Sequence, residues 1–327
     1  MNDMTTDWSV TPDDLSIEAR KPGISGFMRL KNEETYLDLA IESHLHYLDE
    51  LILVYNQCTD STPEICRKWE QDYPDKIKVY EYEPYVYPVG AQEAKSLKSS
   101  DERTLANFYN YSLCKTTRRI AIKVDGDHIA VPAVFSEAVR RSRSLKEDEC
   151  LSLRGANLFE CGGSLYISNG YNYCLKPGKQ RSNGAPPLTT GDHAFFPVSR
   201  RTWHEMDIVE GYEVLDLALI FSLKHWHFPL AFLHMKGVKA DRGMSNWDLN
   251  RYKDSSRQDW SKAVLKTKES DLLTVDEAKL IYKGYFTKYP YELLESSGIH
   301  LPYKKARWWR LFKARCMHRV LKAKRAL

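Results

Sequence analysis

The sequence predicts a doubly wound α/β domain on a mostly parallel sheet flanked by helices, and three observations carry that prediction. Apolar runs alternate with helical patterns in the order β-α-β-α-β from Ile24 to Tyr82, which places helices on both faces of a parallel sheet. A further β-branched run, Ile120-Ala121-Ile122-Lys123-Val124, ends abruptly in Asp125-Gly126-Asp127. It reads as a buried strand that delivers two carboxylates beyond the sheet's carboxyl edge, where open α/β sheets bind their ligands. Finally, 327 residues with 43% hydrophobic and 28% charged content leave ample material for a large core.

The elements follow in order. Residues 1–22 read as a loose, polar and acidic leader that lacks the apolar stretch of a signal peptide. Ile24–Leu30 is a short strand, then Lys31-Asn32-Glu33-Glu34 opens a helix through Leu37, Ile41, Leu45 and Leu48. Leu51–Tyr55 is the second strand, and after a polar loop Pro63 suits the first turn of the next helix. Ile77–Tyr82 alternates as a third strand. Pro84–Ser100 reads as a surface excursion, and a helix over 101–115 feeds the Ile120 strand. Beyond it, 132–145 predicts a helix, 150–167 one or two strands, and the Gly- and Pro-rich stretch 176–191 a mobile loop. Ala194–Val198 returns to the sheet. Val214, Leu215, Ala218, Leu219 and Leu223 predict a helix over 212–226 with one apolar face, and Phe228–Leu233 is a last strand running into His234. The stretch 236–268 is polar, and short helices fill 275–296.

Seven cysteines lie scattered without a Cys-x-x-Cys pair and leave an odd count. They read as reduced thiols of a cytoplasmic protein, neither a disulfide framework nor a zinc site. Nowhere do about 18 apolar residues run together, so no membrane-spanning helix is expected.

Asp125 and Asp127, one residue apart at a strand end, form a hard oxygen site suited to Mn²⁺ or Mg²⁺. An Asp-Gly turn is the plainer alternative, since these are common turn residues. The motif order around the pair resembles that of the family-2-type glycosyltransferases, which use a GT-A fold and a nucleotide-sugar donor. The first strand with Asn32-Glu33-Glu34 resembles the family's opening strand and helix start. Leu53 to Thr62 is similar to its second strand and nucleotide loop. Asn110 stands fifteen residues before Asp125, as the family's helix Asn stands before its Asp-x-Asp. Trp203 to Leu219, with Gly211-Tyr212-Glu213, resembles the region that carries its general base.

The resemblance spans about 23–236 and implies a GT-A-like nucleotide-sugar transferase domain over 23–240. It implies donor contacts from Asn56, Asp60, Asn110 and Asp125, with Lys239 or Arg242 on diphosphate oxygens. Asp125 and Asp127 would hold the ion, His234 being a third ligand or simply a strand-end histidine. Glu213 is the first candidate for the base that takes the acceptor proton, with Asp192 and Asp216 behind it. Inversion of configuration is the expected outcome. Three departures stand out: Tyr55 replaces the first acidic residue of the nucleotide loop, Tyr109 replaces an Arg, and Val214 replaces an Asp. His193, His204, His225 and His227 show no metal-ligand spacing.

A polar and helical extension, 241–302, leads to a basic amphipathic helix, 303–327, so a helical C-terminal extension is expected. From Ser296 onward there are ten Lys or Arg and no acidic residue, which leaves the rest of the chain negative although the whole carries +4. Trp309, Phe312, Cys316 and Val320 share one face. The pattern fits a peripheral anchor on the anionic inner face of the cytoplasmic membrane, with a glycan or lipid-linked acceptor as substrate and bacterial surface polysaccharide as product. Nucleic acid is set aside as a partner. The competing readings are a nucleotidyltransferase and a non-catalytic membrane- or nucleic-acid-binding protein on a degenerate transferase fold.

Overall fold

The computed structural model of the chain describes residues 8–88, 91–130, 132–161, 164–168, 193–206, 213–215, 224–237 and 264–266. Two 3-10 turns, Pro12–Leu15 and Ile17–Ala19, lead into β1 (Lys21–Leu30), α1 (Leu37–Leu45), β2 (Glu50–Tyr55), α2 (Thr62–Asp72) and β3 (Ile77–Glu81). Then come α3 (Gln92–Lys95), α4 (Leu105–Cys114), β4 (Arg118–Lys123), β5 (His128–Ala130) and α5 (Pro132–Ser142). The last elements described are β6 (Glu149–Cys161), β7 (Ser164–Ser168), β8 (Ala194–Pro197), β9 (His204–Met206), β10 (Glu213–Leu215), β11 (Lys224–Gly237) and β12 (Val264–Lys266).

The doubly wound, mixed sheet expected from the sequence is present. Along it the strands run β12-β7-β6-β8-β4-β1-β2-β3, with β3, β2, β1 and β4 mutually parallel. β8 then runs antiparallel to both β4 and β6, and β11 joins β6 in parallel. Apolar side chains of α1, α2 and α5 cover one face, through Leu37, Ile41, Leu45, Cys66, Phe135 and Val139. The other face is covered by α4, which is buried at nine of its positions from Leu105 to Leu113. Parallel strands covered on both sides read as continuous apolar runs, which is why β2 and β4 were legible.

Three expectations give way. The leader is not loose from Trp8 onward: Val10 and Leu15 are buried, and the Trp8 ring meets Tyr82 edge-on at 5.4 Å. Asn107 of α4 ties this strap down, donating from Nδ2 to the Trp8 carbonyl and accepting the Val10 N–H on Oδ1. Trp8 and Val10 look sparse in sequence, but the Asn107 that holds both lies almost a hundred positions away. The helix expected over 212–226 is also replaced at both ends by strands, β10 and the start of β11. His225-Trp226-His227-Phe228 alternates with period two, the mark of a strand, and that outweighs the helical spacing read further upstream. Within the polar stretch 236–268, Val264–Lys266 forms β12, antiparallel to β7. The loop 176–191, the helices of 275–296 and the basic helix 303–327 lie outside the described residues.

Candidate active site

Asp125 and Asp127 sit just past β4, at the carboxyl end of the parallel strands. Gly126 between them is dictated by close approach: a Cβ there would stand 2.9 Å from Leu30 Cδ2 and 2.9 Å from Glu33 Cγ. The loop after β1 therefore presses directly on the motif. β5 starts immediately afterwards and pairs antiparallel with β11, so that His128 faces His234 across the ladder. A bond from the Met235 N–H to the Asp127 carbonyl extends that pairing into the motif. His193 arrives from the opposite side, at the entry to β8, where its carbonyl accepts the Leu153 N–H.

Five titratable side chains thus converge. His234 Nε2 is 3.2 Å from Asp127 Oδ2, and His128 and His193 place Nε2 at 3.6 and 3.7 Å from Asp125 Oδ2. The His128 ring lies flat on Phe232, with centroids 4.2 Å apart, and meets the other two imidazoles edge-on at 4.3 and 4.4 Å. Asp127 and His128 are buried, while Asp125 keeps 27% of its side chain exposed. Lys123 Nζ, itself buried, lies 3.1 Å from Asp125 Oδ1.

The electrostatics favour a fixed charge pattern. Burial pushes the Asp125 carboxyl upward, but Lys123 and then the three imidazoles outweigh it and hold the group well below the usual carboxylate range. Burial drives His128 the other way, well below the usual imidazole value. Repulsion by His193 and His234 adds to the effect, and the two carboxylates offset only part of it. His128 is therefore a neutral ring, the form that ligates metals.

Two groups of side chains could hold a cation: Asp125, His128 and His193, and Asp127, His128 and His234. The residues fit such an ion. His128 Nε2 is buried without a hydrogen-bond partner, and its neighbours are two carboxylates and two imidazoles.

Behind the site stands the loop that the sequence marked as a nucleotide loop. Asn32 adopts a left-handed backbone, φ 54°, which Asn tolerates better than most residues. From there Oδ1 accepts the Thr59 N–H at 2.8 Å. The Glu34 N–H bonds to Asp60 Oδ2, and Glu34 Oε2 in turn accepts the Ser61 N–H. Asp60 also caps α2 through the Thr62 N–H. The two loops are thus stapled reciprocally at the carboxyl edge of the sheet.

Residues 13–137, a little over a third of the chain, match the family described as beta-1,4-N-acetylgalactosaminyltransferase (CgtA). The match makes this part of the chain similar to that glycosyltransferase family. The matched part contains the strap, the stapled loops, α4 and the whole Asp125–His128 corner of the site. No curated protein matches the sequence. Among solved structures, residues 1–349 of TarS from S. aureus, in complex with UDP, align at 12% identity and a TM-score of 0.40, covering 64% of this chain and 59% of that one. Glucosyl-3-phosphoglycerate synthase from Mycobacterium tuberculosis aligns at 16% identity and a TM-score of 0.41 in its complex with Mg²⁺ and UDP, covering 74% of this chain and 78% of that one. The same synthase with Mn²⁺, UDP-glucose and phosphoglyceric acid aligns at 15% and 0.41, with the same coverage. The chain thus spans less than two thirds of the TarS fragment.

The residues expected from the sequence divide accordingly. Asp125, Asp127 and His234 meet in one cluster. Asn56 and Asp60 lie at the loop edge, but the fold holds much of their polar capacity: Asn56 Nδ2 donates to the carbonyls of Tyr82 and Pro84. Asn56 Oδ1 is buried and accepts no hydrogen bond. Asn110 is buried with its amide closed on His204, whose N–H it accepts and whose carbonyl it bonds at 2.9 Å. That bond anchors β9, the strand antiparallel to β10 and so to Glu213. Asp192, Asp216, Lys239 and Arg242 lie outside the described residues. His193, set aside on spacing, belongs to the cluster, and so do His128 and Lys123, which the motif reading left without a role. His128 adjoins Asp127 in sequence, and a strand beginning at residue 128 was the signal that would have aimed it at His234.

Proposed function

We propose that the protein is a divalent-metal-dependent glycosyltransferase of GT-A type, moving a sugar from a nucleotide-diphosphate donor to an acceptor hydroxyl. The observation that carries this reading is the convergence of Asp125, Asp127, His128, His193 and His234 at the carboxyl edge of the parallel strands. Bound there, Mn²⁺ or Mg²⁺ would supply Lewis acidity toward the charge that develops on a departing diphosphate. Asp125 and Asp127 hold the ion as carboxylates. Lys123 keeps Asp125 ionised and fixes its orientation. The stapled loops receive the nucleoside, with Asn56 and Asp60 at their edge, and Lys239 or Arg242 meets the diphosphate.

Glu213 is the base in this reading, with Asp192 and Asp216 as its competitors. Asn110 acts as a positioning residue, since it secures the ribbon β9–β10 on which Glu213 lies. Inversion follows from a base that activates the acceptor directly. The ten positive charges from Ser296 onward support a peripheral position on an anionic membrane surface and a lipid-linked or glycan acceptor of bacterial surface polysaccharide synthesis.

The test is a screen of nucleotide-diphosphate sugars, UDP-sugars first, with and without Mn²⁺, measuring free sugar and free nucleotide. Ion-dependent release from one donor is the expected result. Failure of every donor to bind or turn over would overturn the reading. For the membrane position, equal flotation of the full chain and residues 1–302 with anionic liposomes would be the negative outcome.

A further inference from the structure

The Asp-x-Asp pair and His234 account for three of the converging side chains, and two imidazoles remain. His128 Nε2 is buried and without a hydrogen-bond partner, and the flat contact with Phe232 fixes its ring. His193 approaches from a different strand, with 14% of its side chain exposed. In each of the two groups the donor atoms lie within 4.8 Å of one another. Donors about 2.1 Å from a common ion stand roughly 3 to 4 Å apart, so small side-chain movements close either group. His128 belongs to both groups, so one imidazole is shared between them.

We propose that His128 and His193 are metal ligands of this site, and that the five residues hold one transition-metal ion of the Mn²⁺, Fe²⁺, Co²⁺ or Zn²⁺ class in preference to Mg²⁺. Imidazole is a borderline donor that suits these ions, whereas Mg²⁺ favours oxygen and gives up its water reluctantly. Three rings, one of them sealed beneath Phe232, leave little room for a retained water shell. The inference rests on the proposed divalent-ion site but does not depend on sugar transfer.

The test uses the full chain stripped with chelator and titrated with Co²⁺ or Mn²⁺ alone, read by the visible absorption of bound Co²⁺ and the spin signal of free Mn²⁺, with Mg²⁺ as competitor. The variants are His128→Phe, which keeps a flat ring on Phe232 but removes the donor, His193→Ala and Asp127→Asn. The wild type should prefer Co²⁺ and Mn²⁺ over Mg²⁺ by at least about ten-fold. Each histidine variant should bind Co²⁺ at least about ten-fold more weakly, the loss expected even for an outer-sphere partner, with a changed Co²⁺ spectrum. Should His128→Phe fail to fold, His193→Ala carries the same comparison. Wild-type affinity and spectrum in the histidine variants, with binding lost only in Asp127→Asn, would overturn the inference and leave the ion site standing. Equal affinity for Mg²⁺ and Mn²⁺ would overturn it as well. A wild type that binds none of these ions would remove the ion site together with the inference.

Discussion

Two buried carboxylate sites terminate the same parallel strands, and they are built in opposite ways. At the amino end, Glu50 of β2 accepts the Ser25 hydroxyl and the Thr117 N–H on Oε1 and the Thr117 hydroxyl on Oε2. These donors come from β1 and from the residue preceding β4, so Glu50 clamps three strands. At the carboxyl end, Asp125 and Asp127 meet imidazoles that crowd one another, and His128 Nε2 is buried without a hydrogen bond, 3.6 Å from Asp125 Oδ2. A carboxylate surrounded by committed hydroxyl and amide donors holds a fold together. One surrounded by imidazoles, with a buried ring nitrogen that makes no hydrogen bond, is suited to a cation.

That contrast can be broken experimentally. The largest effect belongs to Asp127→Asn, which should reduce ion-dependent turnover of the donor by about a hundred-fold or more while the melting temperature changes little. An unchanged rate would show that the acidic end is as structural as the other. Next comes acid. His44, buried against Phe135 and bonded through Nδ1 to the Ala40 carbonyl, is lowered by burial to about 4, the carbonyl offsetting only part of the shift. The unfolded chain therefore takes up a proton below pH 6.5 that the fold refuses. Stability should be whole above pH 6.5 and should fall as pH drops toward 4, by up to about 3 kcal/mol from this group. Denaturant titrations of wild type and His44→Asn should differ in slope across that window. Identical slopes would place the acid sensitivity elsewhere, the Asp125–His234 cluster included.

Glu50→Gln should lower stability by about 2 kcal/mol, because its new N–H₂ would face donors, and leave Mn²⁺ affinity unchanged. Altered affinity would mean that the two ends are coupled through the strands. The smallest effect is that of Gly126→Ala, about 1 kcal/mol of overpacking against Leu30 and Glu33. A modest loss of Mn²⁺ affinity should accompany it as the two carboxylates shift. Retained affinity would show the loop to be softer than its contacts imply.

Legibility from sequence follows the range of the interactions concerned. β2 and β4 were readable because burial on both faces writes itself into consecutive residues, and Asp125 and Asp127 because two carboxylates share one turn. The polar loop after β2 was legible as a loop, although nothing in its residues announced that Asn32 and Glu34 would staple it. His193 was invisible as a partner of Asp125 because β8 must first insert antiparallel between β4 and β6. Trp8 and Val10 failed for the same reason, their anchor being Asn107. Glu213 was placed on a helix, yet β10 is a strand whose position depends on the bond between Asn110 and His204.

The pairing of β5 with β11 has one more consequence. His128 and His234 are opposite each other in that ladder, and side chains alternate faces along a strand, so a slip of one residue would turn β11's imidazole away from His128. The neighbouring ladder with β6 already shifts register between Phe228 and Phe232, around Pro229, which has no N–H to give. In the proposed reading, capture of an ion at this corner would work as a gauge of strand alignment: a chain folded one notch out of step could keep its sheet and its helices, yet would have no grip on the cation.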